Sequence, residues 1–292
     1  MNDGKRLLAL LLALLLVFAL VGCGDRGVEE ESVSEESSDV EVPDDTVRIS
    51  TIMSDYLELV AEKKSENEDT IGWLQIPYTA IDDVVLHNAE NNSYYLRRDF
   101  YGAYNFNGVY YADRRSVLGD GTAGQIGNNI CIYGHALTDD PESDNYEIKF
   151  GPLHDFRDAE LAKDIPYIFF TTETENLVYE VCAVFIANSD NQDIPYNRGD
   201  MTQEEFYKMV TEQVLPRSIY NYDVEISETD KFLTLSTCIY KLPDGTPTGY
   251  PDTYYRFAIM AKLVDPQDEL KTEASFTVNE DFQMDPDGKM AA

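Results

Sequence analysis

Three side chains that together can carry out acyl transfer through a thiol stand beside apolar, β-branched stretches of this sequence. Cys238 ends the run 234–238 (TLSTC), His135 follows the apolar run 130–133, and Arg256 lies within 254–260 (YYRFAIM). A cysteine at the end of a strand is held on a rigid element while its sulfur can face the surface. The three residues therefore supply an attacking thiol, an acid and base, and a fixed cation for a developing oxyanion.

These residue types predict a specific division of labour. Because a thiol with a pKa near 8.5 is only a few per cent ionised at neutral pH, a neighbouring base or cation has to assist Cys238. We expect Cys238 to attack a peptide carbonyl, and His135 to protonate the leaving amine and deprotonate the incoming one. We expect Arg256 to pair with the oxyanion or to hold the substrate backbone. The resting pair, either thiolate and imidazolium or both neutral, is left open by the sequence.

The other cysteines and histidines have simpler interpretations. Cys131 and Cys182 lie in apolar strand patterns and are predicted to be small buried residues. His87 and His154 are expected to cap or hydrogen-bond locally. No CxxC or Cys/His spacing predicts a metal site, and the acidic stretch 139–144 lacks the glycine of a calcium loop, so it is interpreted as a solvated loop. We expect neither a metal nor a cofactor.

Hydrophobic periodicity predicts a mainly β domain with two helices. Helical spacing covers 50–67 and 203–215, the second beginning at a capping box of Thr202 and Glu205 and stopped by Pro216. Strand-like runs separated by Gly, Pro, Asn and Asp predict an antiparallel barrel. The predicted strands are 72–76, 83–86, 108–111, 129–133, 166–171, 177–187, 232–238 and 255–263.

The ordered set of motifs resembles the sortases, cysteine transpeptidases of the Gram-positive cell surface. Their TLxTC strand, upstream histidine and downstream arginine are matched by Cys238 with its strand, His135 and Arg256. Three more stretches resemble class B sortases: 71–77 (IGWLQIP), the block from Asn92 to Phe100, and 128–130 (NNI) leading to His135. The resemblance covers roughly 50–264. Arg256 lies eighteen positions after Cys238, so the connecting loop is longer than is usual in class B.

The resemblance implies a fold, an activity and further site residues. The fold is mainly β (α+β), a closed sortase-type antiparallel or mixed barrel of about eight strands, with an N-terminal helix and a helix before the nucleophile strand. The activity is cleavage of a Thr-containing sorting signal of secreted proteins through a thioacyl-enzyme and transfer to a cell-wall or pilin amine. Ser236, Thr237 and Asn92 are then expected to bind substrate. The alternative is a catalytically idle surface-binding lipoprotein, whereas a papain-like hydrolase conflicts with the order of cysteine and histidine.

The N-terminus predicts export and a membrane tether. Lys5 and Arg6 precede an apolar stretch of fifteen residues, 7–21, which is short for a bilayer span and typical of a signal peptide. Gly22 followed by Cys23 resembles a bacterial lipobox, in which the cysteine is lipidated; the alternative is an uncleaved signal anchor. Either arrangement places the domain on the extracellular face of the cell membrane.

Charge delimits the remaining segments and excludes one class of partner. The chain of 292 residues carries a net charge of −33. Segment 24–48 has ten acidic and two basic residues, and segment 265–292 has eight acidic and two basic. Acidic runs of this kind predict solvated, disordered spacers. We therefore divide the chain into a signal or anchor segment (1–23), a linker (24–49), a catalytic domain (50–264) and a tail (265–292). So negative a domain opposes nucleic-acid binding.

Overall fold

A computed structural model describes residues 54–188, 194–243, 245–248 and 255–282, and eight of its ten strands close into one barrel. The strands are β1 (Thr70–Gln75), β2 (Asp82–His87), β3 (Tyr110–Ala112), β4 (Asn129–Tyr133), β5 (Tyr167–Thr171), β6 (Asn176–Asn188), β7 (Tyr220–Tyr222), β8 (Phe232–Cys238), β9 (Tyr255–Leu263) and β10 (Phe276–Val278). The barrel runs in the order β1-β2-β3-β4-β8-β9-β6-β5, and β5 pairs with β1. Two neighbouring pairs, β2 with β3 and β4 with β8, are parallel. The predicted mixed barrel of about eight strands is confirmed.

One α-helix precedes β1, and the other two lie in connections between strands. They are α1 (Ser54–Glu66), α2 (Ala159–Lys163) and α3 (Gln203–Met209), with 3-10 segments at Tyr94–Arg97, Gly151–Arg157 and Leu215–Arg217. The predicted capping box of Thr202 and Glu205 is present at the start of α3. The predicted helix 203–215 is α-helical only to Met209, because a π turn follows at Val210–Val214 before the 3-10 segment that contains Pro216.

Alternation of side chains along β8 and β9 builds a core on each side of the sheet. Leu233, Leu235 and Ile259 belong to the cluster inside the barrel. Phe232 and Met260 belong instead to a second cluster that includes residues of α3. Each strand of this pair is therefore buried on both faces over most of its length, and this burial includes the polar Thr234, Ser236 and Thr237 of β8. Only the residues at the strand ends keep partial exposure.

Part of the acidic tail is structured, contrary to the expected disordered spacer. Strand β10 pairs antiparallel with β7, and Phe276 lies opposite Tyr222. The ring of Phe276 also packs against Tyr220 at a centroid distance of 4.4 Å. One aromatic residue within an acidic stretch thus finds apolar partners on a strand far away in sequence. The expectation of disorder is wrong for this part of the tail.

The predicted membrane and linker segments (1–49) and the first residues of the predicted first helix (50–53) lie outside the described part of the chain. Within the described ranges, no helix combines the length and apolar character that crossing a bilayer requires. In the same ranges, no group of three or more His, Cys, Asp or Glu residues is arranged to hold a metal ion.

Candidate active site

Strand pairing brings the three predicted catalytic residues to one level of the sheet. In the β8–β9 ladder Cys238 lies directly opposite Arg256. In the parallel β4–β8 ladder Tyr133 lies opposite Ser236, so His135, two residues further on, continues to the level of Cys238. Directly opposed residues have Cβ atoms about 4.5–5.5 Å apart. His135, two residues past the end of β4, therefore lines up with Cys238 on β8 and Arg256 on β9, and all three residues are partly exposed.

His135 is fixed by its backbone and by its ring. Its Nε2 lies 2.8 Å from the carbonyl oxygen of Leu96 in the 3-10 segment Tyr94–Arg97. Because a carbonyl can only accept, Nε2 carries the proton and the neutral ring keeps its lone pair on Nδ1. The His135 carbonyl accepts the Phe150 N–H at 2.7 Å. One ring nitrogen is thus committed to orienting the imidazole, and the other can accept a proton.

The glycine before His135 is required by close packing. A Cβ at Gly134 would lie 2.6 Å from the ring of Phe150, too close for any side chain. The Gly134 carbonyl accepts the Thr237 hydroxyl at 2.8 Å, and the Gly134 N–H points to the Ser236 carbonyl at 3.4 Å. These contacts join the segment carrying the histidine to the strand carrying the thiol.

Burial makes the resting thiol and imidazole neutral. The pKa of Cys238 is raised, mainly by burial, while the positive charges of Arg256 and Arg97 oppose that rise. The pKa of His135 is lowered, again mainly by burial, and the same two arginines lower it further. Since the thiol then ionises well above the imidazole, the form at pH 7 is neutral Cys238 with neutral His135.

Two arginines, not one, lie near the thiol. Arg256 donates from Nη1 to the carbonyl of its neighbour Tyr255 at 2.8 Å. Arg97 lies over the ring of Phe106, 4.3 Å from its centroid, and also donates to the Phe106 carbonyl. Arg97 lies in the block from Asn92 to Phe100, but no sequence pattern marked it as a site residue. The charge of Arg97 acts on both Cys238 and His135.

The three predicted substrate-binding residues use their side chains within the protein. Ser236 and Thr237 are buried; the Ser236 hydroxyl is 2.9 Å from the Tyr196 hydroxyl, and that of Thr237 bonds to the Gly134 carbonyl. Asn92 accepts the Arg114 N–H at 2.7 Å and donates to the buried Asp113 at 3.3 Å. All three support the loops and strands around the site. A direct contact of theirs with substrate stays a prediction.

Several expectations about the surrounding polar residues are wrong because distant segments supply the partners. Asp139, expected in a solvated loop, has a buried side chain that accepts from Arg157 at 3.2 Å and from the Lys241 N–H at 2.8 Å. His154, expected to bond locally, lies 3.1 Å from the Cys238 carbonyl. His87, also expected to bond locally, has a buried Nε2 without a hydrogen-bond partner among the described residues. No local sequence signal marks such contacts.

The remaining thiols match their predicted role. Cys131 and Cys182 are 0% and 2% exposed, and neither forms a disulfide. Both belong to the cluster between the barrel and α3. Burial raises the pKa of each thiol well above its ordinary range, so both stay protonated. Of the three cysteines in the described ranges, only Cys238 reaches solvent.

Comparison with known proteins gives one consistent family. The chain is 23% identical over 198 residues to sortase B of Staphylococcus aureus, covering 68% of this chain and 71% of that protein. It is 28% identical over 172 residues to sortase B of Listeria monocytogenes, covering 59% and 63% of the two chains. No family model matches the sequence.

Solved structures agree on the fold. A sortase B–substrate complex from Staphylococcus aureus superposes with a TM-score of 0.59 at 22% identity, covering 73% of this chain and 90% of the other. Sortase B of Clostridium perfringens gives a TM-score of 0.57 at 23% identity, covering 70% and 99%. Together with the curated relatives, these matches confirm the predicted resemblance to class B sortases and the sortase-type barrel.

Proposed function

We propose that this chain, which resembles class B sortases in sequence and fold, is a cysteine transpeptidase that cleaves a Thr-containing sorting signal of secreted proteins and transfers it to a cell-wall or pilin amine. The observation that carries the proposal is the row of His135, Cys238 and Arg256 set by strand pairing. A thiol, a histidine with a free lone pair and a permanent cation then surround one carbonyl carbon.

The first half-reaction forms the thioacyl-enzyme. As the Cys238 sulfur bonds to the threonine carbonyl carbon, its proton passes to Nδ1 of His135 and the carbonyl electron pair moves to oxygen. Arg256, opposite the thiol, stabilises that oxyanion. When the oxyanion collapses, the carbon–nitrogen bond breaks, and the imidazolium returns its proton to the departing amine. The neutral resting pair means that proton transfer accompanies attack.

The second half-reaction reverses these steps with a new amine. The acceptor amine attacks the thioester carbon and gives its proton to His135. The intermediate then expels the Cys238 thiolate, which recovers a proton from the imidazolium. The same base therefore serves both half-reactions, and the protein ends in its starting form.

A catalytically idle binding lipoprotein was the alternative. Selection for binding alone would not require a thiol at a partly exposed strand end beside a histidine and two cations. The partly exposed Cys238 therefore favours the enzyme.

Trapping tests the proposed function. The full chain is incubated with a small library of LPxTG-like and NPxTx-like peptides, with and without triglycine, and analysed by mass. We expect a thioester at Cys238 that the amine converts to an exchanged peptide. Hydrolysis without exchange would indicate a protease, and the absence of both products for every peptide would support the binding alternative. Cys238→Ala is the control for adduct formation.

We also propose that Cys23 anchors the protein to the extracellular face of the membrane as a lipid-modified residue. Support comes from the sequence alone, where Cys23 follows a short apolar stretch, 7–21. Diacylation supplies two chains, and a single chain binds membranes only marginally. In a Gram-positive host, Cys23→Ser should accumulate as a larger precursor, whereas the unaltered chain should begin at a lipidated Cys23. If the membrane-bound form of the unaltered chain still carried residues 1–22, the N-terminus would be an uncleaved signal anchor and not a lipidated cysteine.

A further inference from the structure

A buried histidine, His154, contacts the backbone carbonyl of the proposed nucleophile, Cys238. His154 lies in the 3-10 segment Gly151–Arg157 and is 4% exposed. Its Nε2 is 3.1 Å from the carbonyl oxygen of Cys238. Since the carbonyl can only accept, Nε2 carries the proton. This hydrogen bond joins two segments that are remote in sequence.

The ring of His154 is also held against the strand that carries Arg256. Its centroid lies 5.0 Å from that of Phe257, the residue after Arg256. Phe257 belongs to the cluster inside the barrel, where its own side chain is 1% exposed. The charged groups that act on the ring are Asp139 and Arg157, which pair with each other. His154 thus contacts both strands of the Cys238 and Arg256 pair.

The second ring nitrogen of His154, Nδ1, is unfavourable for stability if the residue serves only to fill space in the core. Nδ1 is buried and has no hydrogen-bond partner among the described residues. An unsatisfied buried polar atom costs free energy that an apolar side chain of similar size would avoid. Unlike an apolar side chain, the imidazole supplies an N–H that donates to the Cys238 carbonyl. Burial also lowers the pKa of His154 to about 4, so the ring stays neutral in the physiological range.

The position of this carbonyl explains why a donor there matters. Cys238 is the last residue of β8, beyond which the chain enters the long loop to β9. At a strand end, the peptide plane is no longer fixed by ladder bonds on both sides. Rotation of the plane between Cys238 and Ile239 changes the ψ angle of Cys238, and an accompanying shift of the backbone at this strand end would move the sulfur relative to His135 and Arg256.

We propose that His154 is a positioning residue that fixes the Cys238–Ile239 peptide plane and thereby the attack geometry of the thiol. The identity of the reaction in this inference rests on the proposed function. The effect of His154 on the position of the thiol does not depend on it. It assigns no proton transfer to His154. Its contribution is orientation, and misplacement of a reacting group by about 1 Å can cost ~10²-fold in rate.

Two substitutions of equal length separate donation from packing. His154→Gln keeps an N–H near the position of Nε2, whereas His154→Met fills similar space without a donor. Each full-length variant is measured at pH 7.5 for kcat and KM with a sorting-signal peptide, for the rate of Cys238 alkylation by iodoacetamide, and for thermal unfolding. We expect His154→Met to lose at least ~10-fold in kcat with KM within about twofold, and its alkylation rate to change. We expect His154→Gln to stay within about threefold of the unaltered chain in both rates.

The outcomes distinguish this inference from the proposed function. Equal kcat and alkylation rates in both variants and the unaltered chain, with only stability lowered, would show a packing role and overturn the positioning inference. Should no peptide be turned over by the unaltered chain, the proposed function fails, while alkylation still compares Met with Gln. If His154→Met does not fold, His154→Phe, which keeps a flat ring against Phe257 and lacks a donor, takes its place with the same expected losses.

Discussion

Cys238 and Arg256 form a directly opposed pair at the end of the antiparallel ladder between β8 and β9. Side chains of such a pair emerge on the same face of the sheet. The guanidinium is therefore placed beside the sulfur by backbone hydrogen bonds and not by a flexible loop. This matters because residues 249–254 of the connecting loop lie outside the described part of the chain, yet the pair stands on strands that are described.

Replacing Cys238 by alanine should abolish thioester formation and transfer while leaving the fold intact. The side chain is partly exposed at the end of its strand, so its loss removes a nucleophile without opening a core cavity. Mass analysis of the peptide reaction and a thermal melt measure the two effects. A variant that kept even a tenth of the transfer rate would show that another residue is the nucleophile.

Cys131→Ala and Cys182→Ala are the matched controls. Both thiols are buried, and Cys182 donates from Sγ to the Met260 carbonyl at 3.3 Å. We expect each change to lower the free energy of unfolding by roughly 0.5–3 kcal/mol and to leave turnover unchanged. Loss of thioester formation in either variant would contradict the assignment of Cys238 as the sole reacting thiol.

Arg256→Lys should lower kcat/KM by at least ~10²-fold, the range seen when one oxyanion donor is removed. Lysine retains the charge but not the planar fork that directs two hydrogen bonds. Steady-state kinetics with a sorting-signal peptide measure the effect. The control is Arg198→Lys, which affects a surface arginine paired with Asp200 at 2.5 Å. If Arg256→Lys had the same kinetics as the control, backbone N–H groups and not Arg256 would stabilise the oxyanion.

The reactivity of the Cys238 thiol should increase as the pH rises through the alkaline range. Burial raises the Cys238 pKa, so the thiolate is scarce below that value and increases as pH rises through it. Arg256 and Arg97 favour the thiolate, and removing either charge should shift the midpoint to still higher pH. Alkylation of Cys238 from pH 6 to 10, in the unaltered chain and in Arg97→Gln, measures the shift. A rate that is flat from pH 6 to 9 would indicate a thiolate already formed at low pH.

Thr237→Val should slow turnover and lower stability together. The hydroxyl donates to the Gly134 carbonyl at 2.8 Å, one residue before His135, and valine leaves that carbonyl without this bond. We expect a loss of about 1–3 kcal/mol in unfolding free energy and a several-fold fall in kcat. Thr237→Ser, which keeps the hydroxyl, should be nearly unaffected. If serine and valine behaved alike in kcat, the hydrogen bond would not position the histidine.

His154 should contribute to acid destabilisation. Its pKa is about 4 in the folded protein and near 6.5 in the unfolded chain, so below 6.5 the unfolded state binds the additional proton. The free energy of unfolding should therefore fall by about 3 kcal/mol as pH drops from above 6.5 to 4. In His154→Gln, this contribution to the pH dependence of the unfolding free energy should be absent. Identical pH dependence of urea unfolding in the two proteins would contradict a buried neutral histidine.

The sequence by itself determined the local part of this protein. The apolar runs that became β4, β8 and β9 were predicted with their observed ends, because β-branched apolar runs and the turn residues that bound them report backbone geometry within a few positions. The same patterns predicted that Cys131 and Cys182 are buried and that Cys238 ends a strand. Residue types predicted the roles of His135 and Arg256, and the family resemblance implied the same assignment.

Only the tertiary structure decided which distant residues meet. The parallel pairing of β4 with β8 places His135 beside Cys238, and His154 reaches the Cys238 carbonyl from another segment. Pairing of Phe276 with β7 likewise gave part of an acidic tail a strand. The protonation states of Cys238 and His135 also follow from burial by the whole barrel. Contacts and desolvation of this kind depend on the packing of remote segments, and no local pattern of residues encodes them.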